Sequence, residues 1–563
     1  MLLVNMLRAR KASGTSNAAA ATNRHFFLRK QLSSLGVIAA FILVTLLAGG
    51  YVDFSFLDAA RDFPGGFVWF VAQFFPDEQA FEQTDHILGA LAMTVLDAIA
   101  AGSLAAVFAY IFAVIGSRVS GFGNPLQLVI RACATVLRNI PTVAWGFLLL
   151  FSFKQAEFTG FLALFFKSLG FLTRTFMETI DEVDSGSIEA LKATGATRLQ
   201  VIVHGVIPMT TTQIISWILY TIEVNFRDAT LVGMLTGTGI GFVFNWFYRT
   251  FQYRTAGLII IAIAVAVILI ESASNFARRR IDVQDALEGP AKRLHGKIKL
   301  HRKTTSGTVV GVLLVALVLL SAYTFVQMDY GKANIPEASA NLSRYFGIMF
   351  ATPHLVHYTL WDMVDGLLVT LSIAVLATFG GLVISLVLSV FAASNLTNKA
   401  VSNAIKSVLA IMRAVPTIIW VLVFTVAIGL GPESAVVGMM FHTVSFLTKA
   451  FSEAFEETDS GVLDALKSTG ASWLHLVFRG VFPDKLNEIL SWTFIRFENN
   501  FVGAVTVGAI AGSGGIGYQL YMIANYMFDW HEVGLIIYMC LAVSITLEVI
   551  ATHLRKKFMV HRQ

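Results

Sequence analysis

Glu223 and Arg227 stand four residues apart inside a long apolar stretch, and Arg496 and Glu498 stand in a matching stretch later in the chain. On a helix, Glu223 and Arg227 share one face one turn apart and can pair. An ionisable side chain at membrane depth is unfavourable and marks function by default. Two readings follow. The charges brace a broken span as a polar cluster, or they line a pathway for an anion. On the second reading the candidate lining is Glu223, Asn225, Arg227, Arg496, Glu498 and Asn500. The forked donors of Arg227 and Arg496 suit a tetrahedral oxyanion. Val502 occupies the position matching Arg227, so such a lining is asymmetric.

Other chemistry is thin. Arg138 and Arg413 precede Pro141 and Pro416 and read as interfacial, snorkelling side chains. His442 aligns with Lys167 and reads as packing, and His354 with His357 is a weak metal pair. Cys133 and Cys540 lie in apolar stretches and read as core. No nucleophile–base constellation recurs. No G-x-x-x-x-G-K-[ST] loop occurs, so the chain is expected neither to hydrolyse ATP nor to act as an enzyme. The segments Gly237–Gly241 and Gly512–Gly517 read as hinges or close helix contacts.

The elements that hold these residues must be membrane helices. The chain has 563 residues, 56% of them hydrophobic and 14% charged, with 44 glycines. Its mean hydropathy is +0.70. A soluble domain could not hide that much apolar side chain. Two cysteines exclude a disulfide framework, and a net charge of +5 gives no case for nucleic acid.

Spans of about 20 apolar residues fall at 34–52, 87–115, 125–152, 157–176, 207–244 and 255–275. Six more fall at 307–327, 361–393, 402–430, 434–452, 483–518 and 530–552. Residues 1–31 hold six basic residues and no acid, and residues 276–305 hold nine basic residues against three acids. The loop 53–85 holds seven acids and Arg61. By the positive-inside rule the N-terminus, the middle and the C-terminus are cytoplasmic. The expected organisation is a basic N-terminal segment 1–33, a first repeat 34–275, a linker 276–306, a second repeat 307–552 and a tail 553–563. A cleaved signal peptide is the disfavoured reading of the first 50 residues.

The two halves match at a constant offset. Residues 184–196 read DSGSIEALKATGA and residues 459–471 read DSGVLDALKSTGA, with nine positions identical. The register continues through Pro208 and Pro483, Glu223 and Glu498, and Asn225 and Asn500. The expected fold is therefore all-α, with about 12 transmembrane helices in two parallel six-helix repeats related by an axis along the membrane normal.

Segments 181–206 and 456–481 are not apolar. Each reads as a short helix, a glycine stop at Gly195 or Gly470, and a second short helix. Thr197 with Gln200 forms a capping box in the first copy. A bare connector needs no such repetition; two copies suggest a two-fold cytoplasmic partner.

These residues resemble the coupling-loop signature of ABC importer permeases, E-A-x-x-x-x-G followed by a short amphipathic run and a proline. The likeness rests on Glu189, Ala190, Leu191, Thr194 and Gly195, and on Asp464, Ala465, Leu466, Thr469 and Gly470. Asp464 departs from the usual glutamate. Phe446–Glu457, Arg496–Asn500 and Gly512–Gly517 are similar to the phosphonate/phosphite-type permeases. The likeness spans roughly 90–275 and 365–555, so the sequence looks like two permease halves fused into one type I importer-like chain. It implies a plasma-membrane subunit that binds no cofactor, two copies of a separate ATPase carrying ATP and Mg, and an extracytoplasmic solute-binding protein. The alternatives are a permease for another solute such as ferric iron, and an ion-coupled secondary transporter.

Overall fold

The computed structural model describes residues 36, 39–119, 124–183, 185–287, 305–331 and 334–559. The basic segment 1–33, with any cleavage site in it, lies outside the described residues. So do 288–304 of the linker and 560–563 of the tail.

Every described element is helical. In hydrocarbon each backbone N–H and C=O must be satisfied within its own segment, which a helix does. In chain order the first half holds α1 (Ala39–Tyr51), α2 (Phe56–Phe74), α3 (Glu78–Phe81), α4 (Thr84–Gly116), α5 (Asn124–Asn139) and α6 (Thr142–Phe153). It continues with α7 (Glu157–Asp181), α8 (Ser185–Ala193), α9 (Arg198–Val201), α10 (Ile207–Thr236), α11 (Gly239–Arg249) and α12 (Tyr253–Leu287). The second half holds α13 (Thr305–Gln327), α14 (Ile335–Ala351), α15 (Leu360–Ala392), α16 (Lys399–Ala414), α17 (Thr417–Ile428) and α18 (Pro432–Glu456). It ends with α19 (Ser460–Ser468), α20 (Trp473–His475), α21 (Phe482–Ala511), α22 (Gly515–Met522) and α23 (Trp530–Met559).

The repeat is visible in the packing. α4 lies against α7 and α10, and α15 lies against α18 and α21. Among the described residues seven helices are long and apolar enough to span singly, and up to eleven spans result when each bent pair counts once. α7 is not among them, yet it packs against α4 and α10 as α18 packs against α15 and α21. Lys167 and Arg174 interrupt its apolar run.

The expected spans 125–152 and 402–430 are not straight. α5 meets α6 at 93° and α16 meets α17 at 87°. The cause is local. Pro141 and Pro416 cannot continue the hydrogen-bond ladder, and a proline holds the residue before it extended; Val415 has φ −78° and ψ 126°. The loop expected at 53–85 is also structured. Ser55 Oγ accepts the N–H of Asp58 at 3.3 Å and starts α2, which turns 67° from α1.

The leading helices of each half cross to the other. Phe41 of α1 packs on Phe379 of α15, with ring centres 5.8 Å apart, and Phe63 of α2 packs on Phe424 and Phe441. In return, Thr324 Oγ1 of α13 donates to the Leu96 carbonyl of α4 at 3.4 Å, and Phe325 packs on Phe161. α14 rests on α6. The two halves are thus interlocked.

Cys540 is buried as expected, but Cys133 is exposed on α5. An apolar stretch in a membrane protein need not face a core, because its surroundings are apolar as well.

Candidate functional site

α8 and α19 are held in the same way, each against the turn that leads into the next long helix. Ile188 and Leu463 are buried anchors. Glu189, Ala190, Thr194 and Gly195 are exposed, as are Asp464, Ala465, Thr469 and Gly470; Leu191 and Leu466 are half-buried. Gly195 and Gly470 adopt φ of 84° and 77°, the left-handed conformation that glycine adopts without strain. The Gly195 N–H reaches the Lys192 carbonyl at 3.0 Å, and Gly470 reaches Lys467 at 2.9 Å. The Thr197–Gln200 capping box is present. In the second copy Ser472 Oγ instead meets His475 Nδ1 at 2.7 Å.

The seat beneath each short helix is a glycine that sequence reasoning missed. A Cβ on Gly205 would stand 2.9 Å from Leu191 Cδ1, and one on Gly480 would stand 2.9 Å from Leu466 Cδ1. Their matching positions in the two halves were the available signal.

α5 and α16 link this end to the centre. Arg131 pairs with Asp181 at 2.6 Å, at the foot of α7 just before α8. Lys406 repeats the contact with Glu456 at 2.7 Å. Seven residues on, two turns along the same face, Arg138 reaches Glu548 of α23 at 2.5 Å and Arg413 reaches Glu271 of α12 at 2.6 Å. The snorkelling expectation for Arg138 and Arg413 is therefore corrected. The sharp turn at each proline lays α5 and α16 across the bundle, so these side chains point at the opposite half.

Between the halves lies a cavity of about 650 Å³. Glu223, Asn225, Arg227, Arg496 and Glu498 all line it, as does His442. Glu223 accepts from Arg227 at 3.0 Å and faces Arg278 at 3.7 Å. Lys167 pairs with Asp228, and Lys449 shares Glu271 with Arg413 at 3.7 Å. Ser168 Oγ donates to Asn225 Oδ1 at 2.9 Å.

Asn500 stands behind the wall. Its amide donates to Thr378 at 2.9 Å and to Thr443 at 3.0 Å. Sequence reasoning missed Lys167, Glu271, Arg278 and Lys449 as lining. Arg278 counted as part of the basic linker, and Glu271 ends an apolar span.

The histidines of the 352–359 loop form no metal cage. His357 Nδ1 meets Glu532 at 3.1 Å, and His354 packs on His531 with ring centres 4.2 Å apart and the rings tilted by 43°. Among the described residues no group of three or more potential ligands could hold a metal ion.

The family model of the binding-protein-dependent transport system inner membrane component matches residues 98–283 and 385–559. The chain belongs to that family. The permease domain occurs twice in it, once in each half. The phosphate-import permease protein PhnE of Mycolicibacterium smegmatis is 27% identical to this permease over 445 residues, covering 78% of this chain and 80% of that one. The phosphite transport system permease protein PtxC of Stutzerimonas stutzeri is 33% identical over 187 residues, covering 33% of this chain and 68% of that one. Among solved structures, the MetNI methionine ABC transporter in an inward-facing conformation aligns at 20% identity. That alignment has a TM-score of 0.34 and covers 36% of this permease and 99% of that chain.

Proposed function

We propose that this permease is the membrane subunit of an ATP-driven importer for phosphonates or related phosphorus oxyanions. Solute from an extracytoplasmic binding protein enters the cavity between the halves and leaves into the cytoplasm. The basic linker and termini lie on the cytoplasmic side, as the positive-inside rule requires. Two copies of a separate ATPase, carrying ATP and Mg, dock on the exposed residues of α8 and α19. Their closure moves the two short helices as levers.

One observation carries the solute class. Four buried side-chain nitrogens lining the cavity have no hydrogen-bond partner among the described residues: Asn225 Nδ2, Arg227 Nη1, Arg278 Nε and His442 Nδ1. Among the described residues no fully buried side-chain oxygen lining the cavity is left in that state. A buried donor without a partner is unfavourable. Spare amide and guanidinium N–H groups suit a guest rich in acceptors, which an ionised oxyanion is. The relatives whose names specify phosphate and phosphite point the same way.

The test is a mild-detergent purification of the tagged chain from its native membrane, with native mass measurement and identification of whatever accompanies it. One chain with two ATPase copies supports the reading. A chain that comes out alone, and transports in vesicles without ATP, overturns it in favour of an ion-coupled carrier.

A further inference from the structure

The two walls of the cavity are chemically unequal. Among the described residues seven basic side chains line it, and six of them are ion-paired as set out above. The seventh, Arg496, has no carboxylate partner among the described residues, yet it is only 7% exposed. A buried guanidinium without a counter-charge is strongly unfavourable.

Its surroundings hold it without neutralising it. Nε donates to Thr443 Oγ1 at 3.1 Å, and the guanidinium carbon lies 5.4 Å from the centre of the Phe446 ring, a cation–π contact. Asn500 fixes Thr443 from behind. The terminal nitrogens of Arg496 bond no described residue. On the same wall His442, next to Thr443 in α18, presents the unpartnered Nδ1.

Among the described residues the first half has no unpaired arginine to match it. Thr221 stands at the position matching Arg496. The first half's own arginine, Arg227, is already bonded to Glu223.

We propose that the chain has one anion subsite, on the wall formed by the second half, where Arg496 is the principal binding group and His442 a second donor. The proposal rests on the oxyanion reading above and sharpens it. Despite the repeat, one chain holds one anion. The fork of terminal N–H groups takes two oxygens of a tetrahedral anion, and His442 takes a third when its proton is on Nδ1. Arg227 serves passage along the opposite wall, because its charge is shared with Glu223.

The test uses the full chain in lipid nanodiscs, with methylphosphonate, phosphite, sulfate and chloride as probes. Binding is followed by phosphorus NMR for the first two probes and by competition for the others. Arg496→Gln is expected to weaken methylphosphonate or phosphite binding about ten- to hundredfold, the range for a hydrogen bond to a charged group. Arg227→Gln is expected to weaken it only a few-fold. Wild-type saturation is expected at one anion per chain. Arg496→Gln is also expected to melt no lower than wild type in the absence of anion, and to lose the anion-induced rise in melting temperature.

A variant that melts lower without anion makes Arg496 a structural brace and overturns the proposal. Unchanged binding in Arg496→Gln, an equal loss in Arg227→Gln, or two anions per chain overturns it as well. If the wild type binds sulfate or chloride through Arg496 but no phosphorus oxyanion, the subsite stands and the phosphorus reading falls. If it binds methylphosphonate and Arg496→Gln binds it as tightly, the subsite falls and the phosphorus reading stands.

Discussion

Arg413 of α16 and Glu271 of α12 meet at 2.6 Å across the boundary between the two halves, and Arg138 with Glu548 repeats the contact at 2.5 Å. Both pairs are partly buried, and the arginine of each sits just before the chain turns at a proline. They fasten each half to the other beside the cavity. Any opening between the halves at this level must separate them.

The first prediction concerns that fastening. Arg413→Glu places two acids side by side and leaves Lys449 as their remaining partner. It should lower the melting temperature of the purified chain, and the reversal Arg413→Glu with Glu271→Arg should recover most of the loss. A thermodynamic cycle over the four chains should give an interaction of about 1–3 kcal/mol. Additive effects would show that the pair carries no weight.

A second prediction concerns the seats of the short helices. Gly205→Leu and Gly480→Leu drive extra carbons into Leu191 and Leu466. Each should cost about 1–3 kcal/mol through overpacking, lift the short helix and abolish transport while the chain stays folded. Gly205→Ala should be mild, since only the tips of Leu191 and Ile188 must move. Transport assays beside circular dichroism decide this; full transport in the double leucine variant would contradict it.

The glycine stops give a third. A side chain at Gly195 or Gly470 would occupy φ near 80°, which disfavours each by about 1–2 kcal/mol. Gly195→Val with Gly470→Val should leave ATP hydrolysis in the complex largely intact and remove solute movement. Normal transport in that double variant would count heavily against the lever.

The fourth concerns α5 and α16 as struts. Each carries one cation tied to the end of the long helix that precedes a short one, and another, two turns on, tied to the opposite half. Asp181→Asn with Glu456→Gln removes the charge of the first tie and leaves an amide oxygen for the Arg118 and Ser394 N–H groups that these side chains also accept. The expected result is ATP hydrolysis with transport reduced several-fold. Equal loss of both activities would mean that these pairs merely hold the fold.

Much of this was legible in the sequence because its signals are local. The short helices at 185–193 and 460–468, the stops at Gly195 and Gly470 and the Thr197–Gln200 box each lie within about a dozen residues. The structure has all three. The crossed leading helices were not legible. Phe41 and Phe63 are apolar residues whose partners lie in the other half, and no spacing names a partner at that distance. The same holds for Arg413, whose partner Glu271 is 142 residues away. The prolines at 141 and 416 were visible, but the direction in which they aim Arg138 and Arg413 depends on packing. Asn500 matches Asn225 by position, yet a single polar residue does not reveal whether it faces a cavity or the helix behind it.

The decisive experiment is uptake of phosphite, methylphosphonate and phosphate into proteoliposomes holding the chain with its co-purified ATPase and binding protein, with and without ATP. Accumulation of at least one of these anions that requires ATP, and that falls in Arg496→Gln, is the expected result. Accumulation driven by a proton or sodium gradient without ATP, or none of any phosphorus oxyanion while another solute accumulates, would contradict it.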